Sequence, residues 1–103
     1  MKAIILYREQ DGEIEGGIYN NISYEDVVRE VGERNIISYI ALQVSGKTYE
    51  ERKGDLEDKA IMYSYTWSEY CYSYGELFEV QNFFEVNGKR YGLIREFREN
   101  AIC

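Results

Sequence analysis

The stretch "ELFEVQNFFEVNGKRYGLIREF", residues 76–97, decides the fold, because a turn at Asn87-Gly88 makes it a hairpin and commits the domain to β-sheet. Asn-Gly suits the two positive φ angles of a type I′ turn, and the flanking residues alternate apolar and polar. A two-residue turn there sets Phe84 opposite Tyr91 and Phe78 opposite Phe97 on one face, with Glu85 opposite Arg90 on the other. It also opposes Glu79 and Glu96, an unfavourable pair unless Arg98 lies diagonally between them.

Upstream, "MYSYTWSEYCYSY" (62–74) carries six aromatic rings and no basic residue. Tyr63, Tyr65 and Trp67 share one parity, and Tyr70, Tyr72 and Tyr74 the other, so a straight strand separates the two sets. A chain reversal at Ser68-Glu69 joins them into one cross-strand ladder, pairing Tyr63 with Tyr74, Tyr65 with Tyr72 and Trp67 with Tyr70; a bulge that restores parity is the competing account. The ladder is core if it packs on a helix. It is a binding face if its hydroxyls stay wet, as the ratio of 11 tyrosines to 4 phenylalanines favours.

Nearer the N-terminus, "KAIILYR" (2–8) reads as a buried strand, "DGEIEGG" (11–17) as a turn-rich loop and "IYNNI" (18–22) as a short strand or edge. "SYEDVVREVG" (23–32) is the clearest helix, with Ser23 as N-cap, Asp26 completing a capping box and Gly32 as the stop. Its stripe of Tyr24, Val27, Val28 and Val31 needs one face of a sheet to cover. "NIISYIALQV" (35–44) is apolar on both alternations and reads as a central strand. Residues 49–59, "YEERKGDLEDK", read as a solvated loop or short helix, and "KAIMYSYTW" (59–67) resumes a period of two. The expected fold is α+β: a single domain over 1–103, with a mostly antiparallel sheet of about five or six strands and one main helix, about 24–31, on one face.

Composition narrows the function. No histidine is present among the 103 residues, which removes the commonest metal ligand and the usual acid–base group near neutral pH. Asp55, Glu57 and Asp58 lack the glycine and distal glutamate of a calcium loop, and Cys71 has no basic neighbour to activate it. No enzyme, cofactor or metal is therefore expected. Cys71 and Cys103 read as free thiols, and no apolar run approaches the roughly 18 residues of a membrane span or a secretory signal, so a cytoplasmic protein without membrane contact is expected.

The net charge of −7 is unevenly spread: residues 9–33 hold eight acids against Arg29 alone, while 89–98 hold four bases against Glu96. A solvated acidic pole accounts for this, as does a surface complementary to a basic protein. Residues 60–88 contain no lysine or arginine, so direct nucleic-acid binding through the aromatic stretch is not expected. The expectation is a non-enzymatic inhibitor that masks a basic, nucleic-acid-binding or nuclease partner, resembling in composition toxin-immunity and phage anti-defence proteins. Its candidate contacts are Asp11, Glu13, Glu15 and Glu25 for steering and Tyr63, Tyr65, Trp67, Tyr70, Tyr72 and Tyr74 as anchors. The alternative is a small-molecule or nucleotide module lined by the ladder. The oligomeric state is open, a homodimer included.

Overall fold

A computed structural model describes residues 1–103. Three antiparallel strands, β1 (Lys2–Arg8), β2 (Ile14–Asn20) and β3 (Ile36–Ala41), form one sheet in the order β2-β1-β3. Helix α1 (Tyr24–Val31) lies between β2 and β3 in sequence. After β3 the chain is helical: α2 (Tyr49–Thr66), a 3-10 turn (Trp67–Glu69), α3 (Tyr74–Arg90) and α4 (Ile94–Glu99). No helix is long and apolar enough to cross a membrane.

The strand assigned to "KAIILYR" forms as expected, and the centre of the sheet is this strand rather than "NIISYIALQV", which lies at an edge. Alternate side chains of β1 feed two cores. Ile4 joins Ile40 of β3 with Leu56, Ala60 and Tyr63 of α2, Val80 and Phe84 of α3, Phe97 of α4, and Tyr91, Leu93 and Ile102. Ala3 and Ile5, on the opposite face, pack against Val27 of α1, flanked by Tyr7, Ile22, Val31, Ile36 and Tyr39. A bulge assists this division: Leu6 pairs with Ser38 but Tyr7 pairs with Ile36, so one extra residue of β3 turns Ile36 onto the α1 face.

Helix α1 has the limits and caps its sequence implies. The Ser23 hydroxyl accepts from Asp26 N–H, the Asp26 carboxylate accepts from Ser23 N–H, and Gly32 closes the helix at φ 86° with its N–H on Val28 O. Tyr39 donates its hydroxyl to Ile22 O at 2.8 Å and stacks edge-on with Tyr24, which pins the helix to β3.

The second half of the chain corrects the expectation of five or six strands with one main helix. Residues 49–66, read as a solvated loop or short helix followed by a strand, form one 18-residue helix. Its apolar stripe is narrow: Leu56, Ala60 and Tyr63 are buried, and the charges of 49–59 hold its own lead-in loop. Asp55 accepts from Ser45 N–H at 2.9 Å and Lys59 at 2.6 Å, and Arg52 donates to Gly46 O at 3.0 Å. Tyr49 packs on Tyr91 with ring centroids 5.4 Å apart, joining the start of α2 to the end of α3.

No hairpin forms at Asn87-Gly88, which lies inside α3. Leu77, Val80, Phe84, Gly88 and Tyr91 recur at three- and four-residue steps on the inward side, a helical spacing superimposed on the apparent period of two. Gly88 is required there for space rather than for a turn. A Cβ at that position would lie 2.8 Å from Phe97 Cδ2, so its absence lets α4 fold back onto α3. Asn87 donates its side chain to Phe83 O, one turn earlier.

The first turn of α3 also closes the β2 edge. Glu76 accepts from Ser73 N–H through Oε1 and from Ile18 N–H of β2 through Oε2, both at 3.0 Å. Gly17 beside it has φ 139°, and a Cβ there would collide with Glu76 Oε2. Burial alone raises the Glu76 carboxyl; hydrogen bonds from the Ser73 and Ile18 backbones and the Ser73 hydroxyl outweigh it and hold the group below its ordinary value.

Gly54→Ala and Gly88→Ala will shift stability in opposite directions, measured by urea unfolding. Nothing lies within 4 Å of a Cβ at Gly54 of α2, so alanine gains helix propensity worth about 0.5–1 kcal/mol. At Gly88 the Phe97 ring must move, and the loss is about 1–3 kcal/mol; a gain there would mean that α4 does not pack on α3. Because the folded Glu76 carboxyl is depressed, its contribution is present above the ordinary value of 4.5 and lost as pH falls from there through the folded value. The stability gap between wild type and Glu76→Gln will therefore narrow between about pH 6 and pH 3. A gap constant with pH would remove the clamp on Ile18.

Candidate partner-binding site

The acidic pole is built on the β1–β2 turn. Glu9 N–H donates to Glu13 O at 2.8 Å and Gly12 N–H to Glu9 O at 2.9 Å, while Asp11 Oδ1 accepts from Glu13 N–H at 3.0 Å. Gly12 supplies the positive φ of 89° that this tight reversal needs. The turn thus satisfies its own backbone and leaves the side chains of Glu9, Asp11 and Glu13 in solvent.

Beside it an open cleft of about 590 Å³ runs between the turn and the outer end of α1. Glu9, Asp11, Glu15 and Glu30 line it together with Tyr7, Val31 and Asn35. None of these four carboxylates has a basic partner within salt-bridge distance; the five ion pairs of the molecule involve Asp26, Asp55, Glu79 and Glu85 instead. The one cation on the cleft wall, Arg8, donates to Gly12 O at 3.1 Å.

A narrow crevice of about 80 Å³ opens from the cleft between α1 and the sheet. Ile5, Tyr7, Tyr19, Ile22, Val27 and Val31 line it, and Glu30 stands on it as the single charged residue. Tyr7, Glu30 and Val31 belong to both cavities. Cross-strand pairing of Tyr7 with Glu15 and of Ala3 with Tyr19 puts these side chains on the α1 face. Burial pushes the Tyr7 hydroxyl above its ordinary value, and Tyr19, Glu9 and Glu15 beside it act in the same direction.

Of the acids expected at a contact surface, Asp11 and Glu15 line the cleft, and Glu13 is exposed on the turn next to it. Glu25 lies apart, on the first turn of α1, where with Asp26 it adds to the burial that raises Tyr39. Tyr7, Tyr19 and Glu30, which the sequence pattern did not single out, line the crevice beside these acids. No sequence signal joins them: Tyr7 and Tyr19 share a face only through the pairing of β1 with β2, and Glu30 reaches them only because α1 docks there.

The six-ring ladder does not exist. Tyr63 is buried in α2 against Phe84 at 5.5 Å and Tyr72 at 6.2 Å, and Tyr72 meets Tyr70 edge-on at 5.1 Å. Tyr72 and Tyr70 lie in the α2–α3 connection, which crosses the β2 edge; burial raises Tyr70 first, then the charges of Glu76, Tyr19 and Glu15. The buried Tyr72 hydroxyl has no hydrogen-bond partner, and burial likewise pushes it far up. Tyr65, Trp67 and Tyr74 are exposed by 76%, 54% and 87%. A helix replaces the first strand of the proposed pair, so three rings point inward and three outward. No group of three or more acidic, cysteine or histidine side chains is arranged to hold a metal ion, and both cysteines are free thiols.

Tyr63→Ala is expected to cost about 3–5 kcal/mol of stability, as large aromatic truncations in a core do, while Tyr65→Ala stays within about 0.5 kcal/mol. Equal unfolding midpoints for the two variants would contradict the inward placement of Tyr63. Comparison of the chain with protein-family models, curated proteins and solved structures gave no match.

Proposed function

We propose that the chain is a non-enzymatic acidic binding protein that masks the basic surface of a protein partner, a nuclease or another nucleic-acid-binding protein, in the manner of toxin-immunity or anti-defence inhibitors. The observation that carries this reading is the set of unpaired carboxylates Glu9, Asp11, Glu15 and Glu30 around one open cleft, with Glu13 beside them. Carboxylates without internal cations repel one another, and a basic partner relieves that repulsion while steering its own approach along the field. Tyr7 and Tyr19 next to the acids supply amphipathic contact area of the kind favoured at interfaces. Direct nucleic-acid binding is disfavoured for the same reason, since phosphates meet the same carboxylates. The small-ligand alternative rested on six rings sharing a face, which they do not.

Immobilised wild type and a Glu13→Lys/Glu15→Lys double variant, both verified as folded by thermal melting, are to be exposed to lysate of the source cells at low and high salt. The wild type will retain a basic protein that salt releases and whose nucleic-acid binding or cleavage it blocks. The variant will associate about tenfold more slowly with that protein and with a shallower salt dependence. A retained protein indifferent to both salt and charge reversal, or retention of none, would remove the reading.

A further inference from the structure

We infer that the crevice between α1 and the β1–β2 face seats an arginine side chain of the basic partner, its stem between Val27, Val31 and Ile5 and its guanidinium at Glu30; this deepens the proposed masking function and rests on it. The crevice combines two kinds of lining. Ile5, Ile22 and Val27 belong to it alone and make its inner part apolar. Tyr7, Glu30 and Val31 are shared with the acidic cleft and form its mouth, with Tyr19 also on its wall.

A fully apolar side chain fills the inner part but brings nothing to the carboxylates at the mouth. A bare cation satisfies the carboxylates but leaves the apolar walls wet. An arginine side chain matches both, with an apolar stem and a cationic end.

Arginine is favoured over lysine by the groups at the mouth. A guanidinium is planar, stacks on an aromatic face and forks to carboxylate oxygens, whereas an ammonium is more strongly hydrated and lacks the fork. Tyr7 and Tyr19 provide the rings, and Glu30 provides a carboxylate shared by crevice and cleft, with Glu15 across from Tyr7 as a second. None of these acids is engaged by Arg8, Arg29 or another cation of the chain. The other two acids of the cleft, Glu9 and Asp11, add negative charge along the approach, where Arg8 is held on Gly12 O.

The test uses the whole ¹⁵N-labelled chain and N-acetyl-arginine N-methylamide as the probe, with the citrulline, lysine and norleucine analogues as controls. The arginine probe will shift the amide signals of Tyr7, Ile22, Val27 and Val31 saturably and will bind about fivefold more tightly than the lysine or citrulline probes. Glu30→Gln, an exposed substitution checked for an unchanged melting temperature, will weaken the arginine probe by about fivefold and leave the norleucine probe unchanged. Equal binding of arginine and norleucine makes the crevice a purely apolar slot and overturns the inference, as does binding of arginine confined to residues 9–15 or unaffected by Glu30→Gln. The lysate experiment reverses Glu13 of the turn and Glu15 of β2, and Glu15 also stands beside the seat, so the two readings are separated by Glu30→Gln and by retention of a basic protein on the wild type. A salt-sensitive partner that ignores Glu30→Gln rejects the arginine seat alone, while a seated arginine probe with no basic partner retained rejects the masking function alone.

Discussion

Ala3, Ile4, Ile5 and Leu6 of β1 are four consecutive residues with at most 2% of their surface exposed, and a strand that buries successive side chains requires cover on both faces. That constraint organises the rest of the chain. A three-stranded sheet of this size has no second sheet to pack against, so helices supply both layers. Full burial of an isoleucine or leucine contributes about 1.5–3 kcal/mol, and Ile4, Ile5 and Leu6 therefore weigh heavily against a domain stability of about 5–15 kcal/mol. The two layers are unequal. On one side α2, α3 and α4 bury Ile4 within a cluster of eleven residues; on the other, eight residues of α1 cover Ala3 and Ile5 largely through Val27.

A three-stranded sheet also has two edges that invite pairing with other chains. At β2 the carboxylate of Glu76 occupies the Ile18 N–H, and the aromatic connection through Tyr70 and Tyr72 crosses the same edge. One side chain thereby caps α3 and blocks a strand, which ties the helical half of the chain to the sheet. The glycine at 17 is required by that close approach, and a side chain there would displace the carboxylate.

In the first 44 residues β1, the Ser23–Asp26 capping box and the Gly32 stop were legible because each signal is unopposed, but β2 begins at Ile14, inside the segment 11–17 read as a loop, because Gly16 and Gly17 look like turn residues while they pair with β1. The doubly apolar pattern of 35–44 identified a strand covered on both faces but not that it lies at the edge, since burial of both faces says nothing about neighbours. In the second half two patterns compete. Phe78, Val80, Asn82, Phe84 and Val86 alternate like a strand only because exposed Phe78 and Val86 of α3 are apolar. Two signals decide correctly, Thr48 with Glu51 and Ser73 with Glu76. Both are capping boxes of the kind that located α1, and both open the long helices. Neither box entered the sequence reading, which followed Asn-Gly to a hairpin, whereas Gly88 reports close packing of Phe97. The acidic pole was legible as charge. The crevice was not, because it joins Tyr7, Tyr19 and Glu30 from three elements whose proximity depends on register.

The thin α1 layer and the acidic cleft have a common physical basis. A helix with only Val27 fully buried leaves the ends of its stripe, Val31 and Tyr24, partly in solvent, and the sheet beneath it shows Tyr7 and Tyr19 at the same level. Extending the helix over them would bury more apolar surface, but it would also bring the carboxylates of Glu9, Asp11 and Glu15 into a less hydrated setting, where unpaired charges cost more. Exposure keeps those charges tolerable, with each acid solvated and screened within about 8–10 Å at ordinary salt. The open side of the sheet is therefore the side on which four unpaired acids are least destabilising. The same openness makes them accessible to a cation from another molecule, whose desolvation is offset only where apolar walls and rings stand beside the charge. Between α1 and the β1–β2 face both conditions meet, at Glu30.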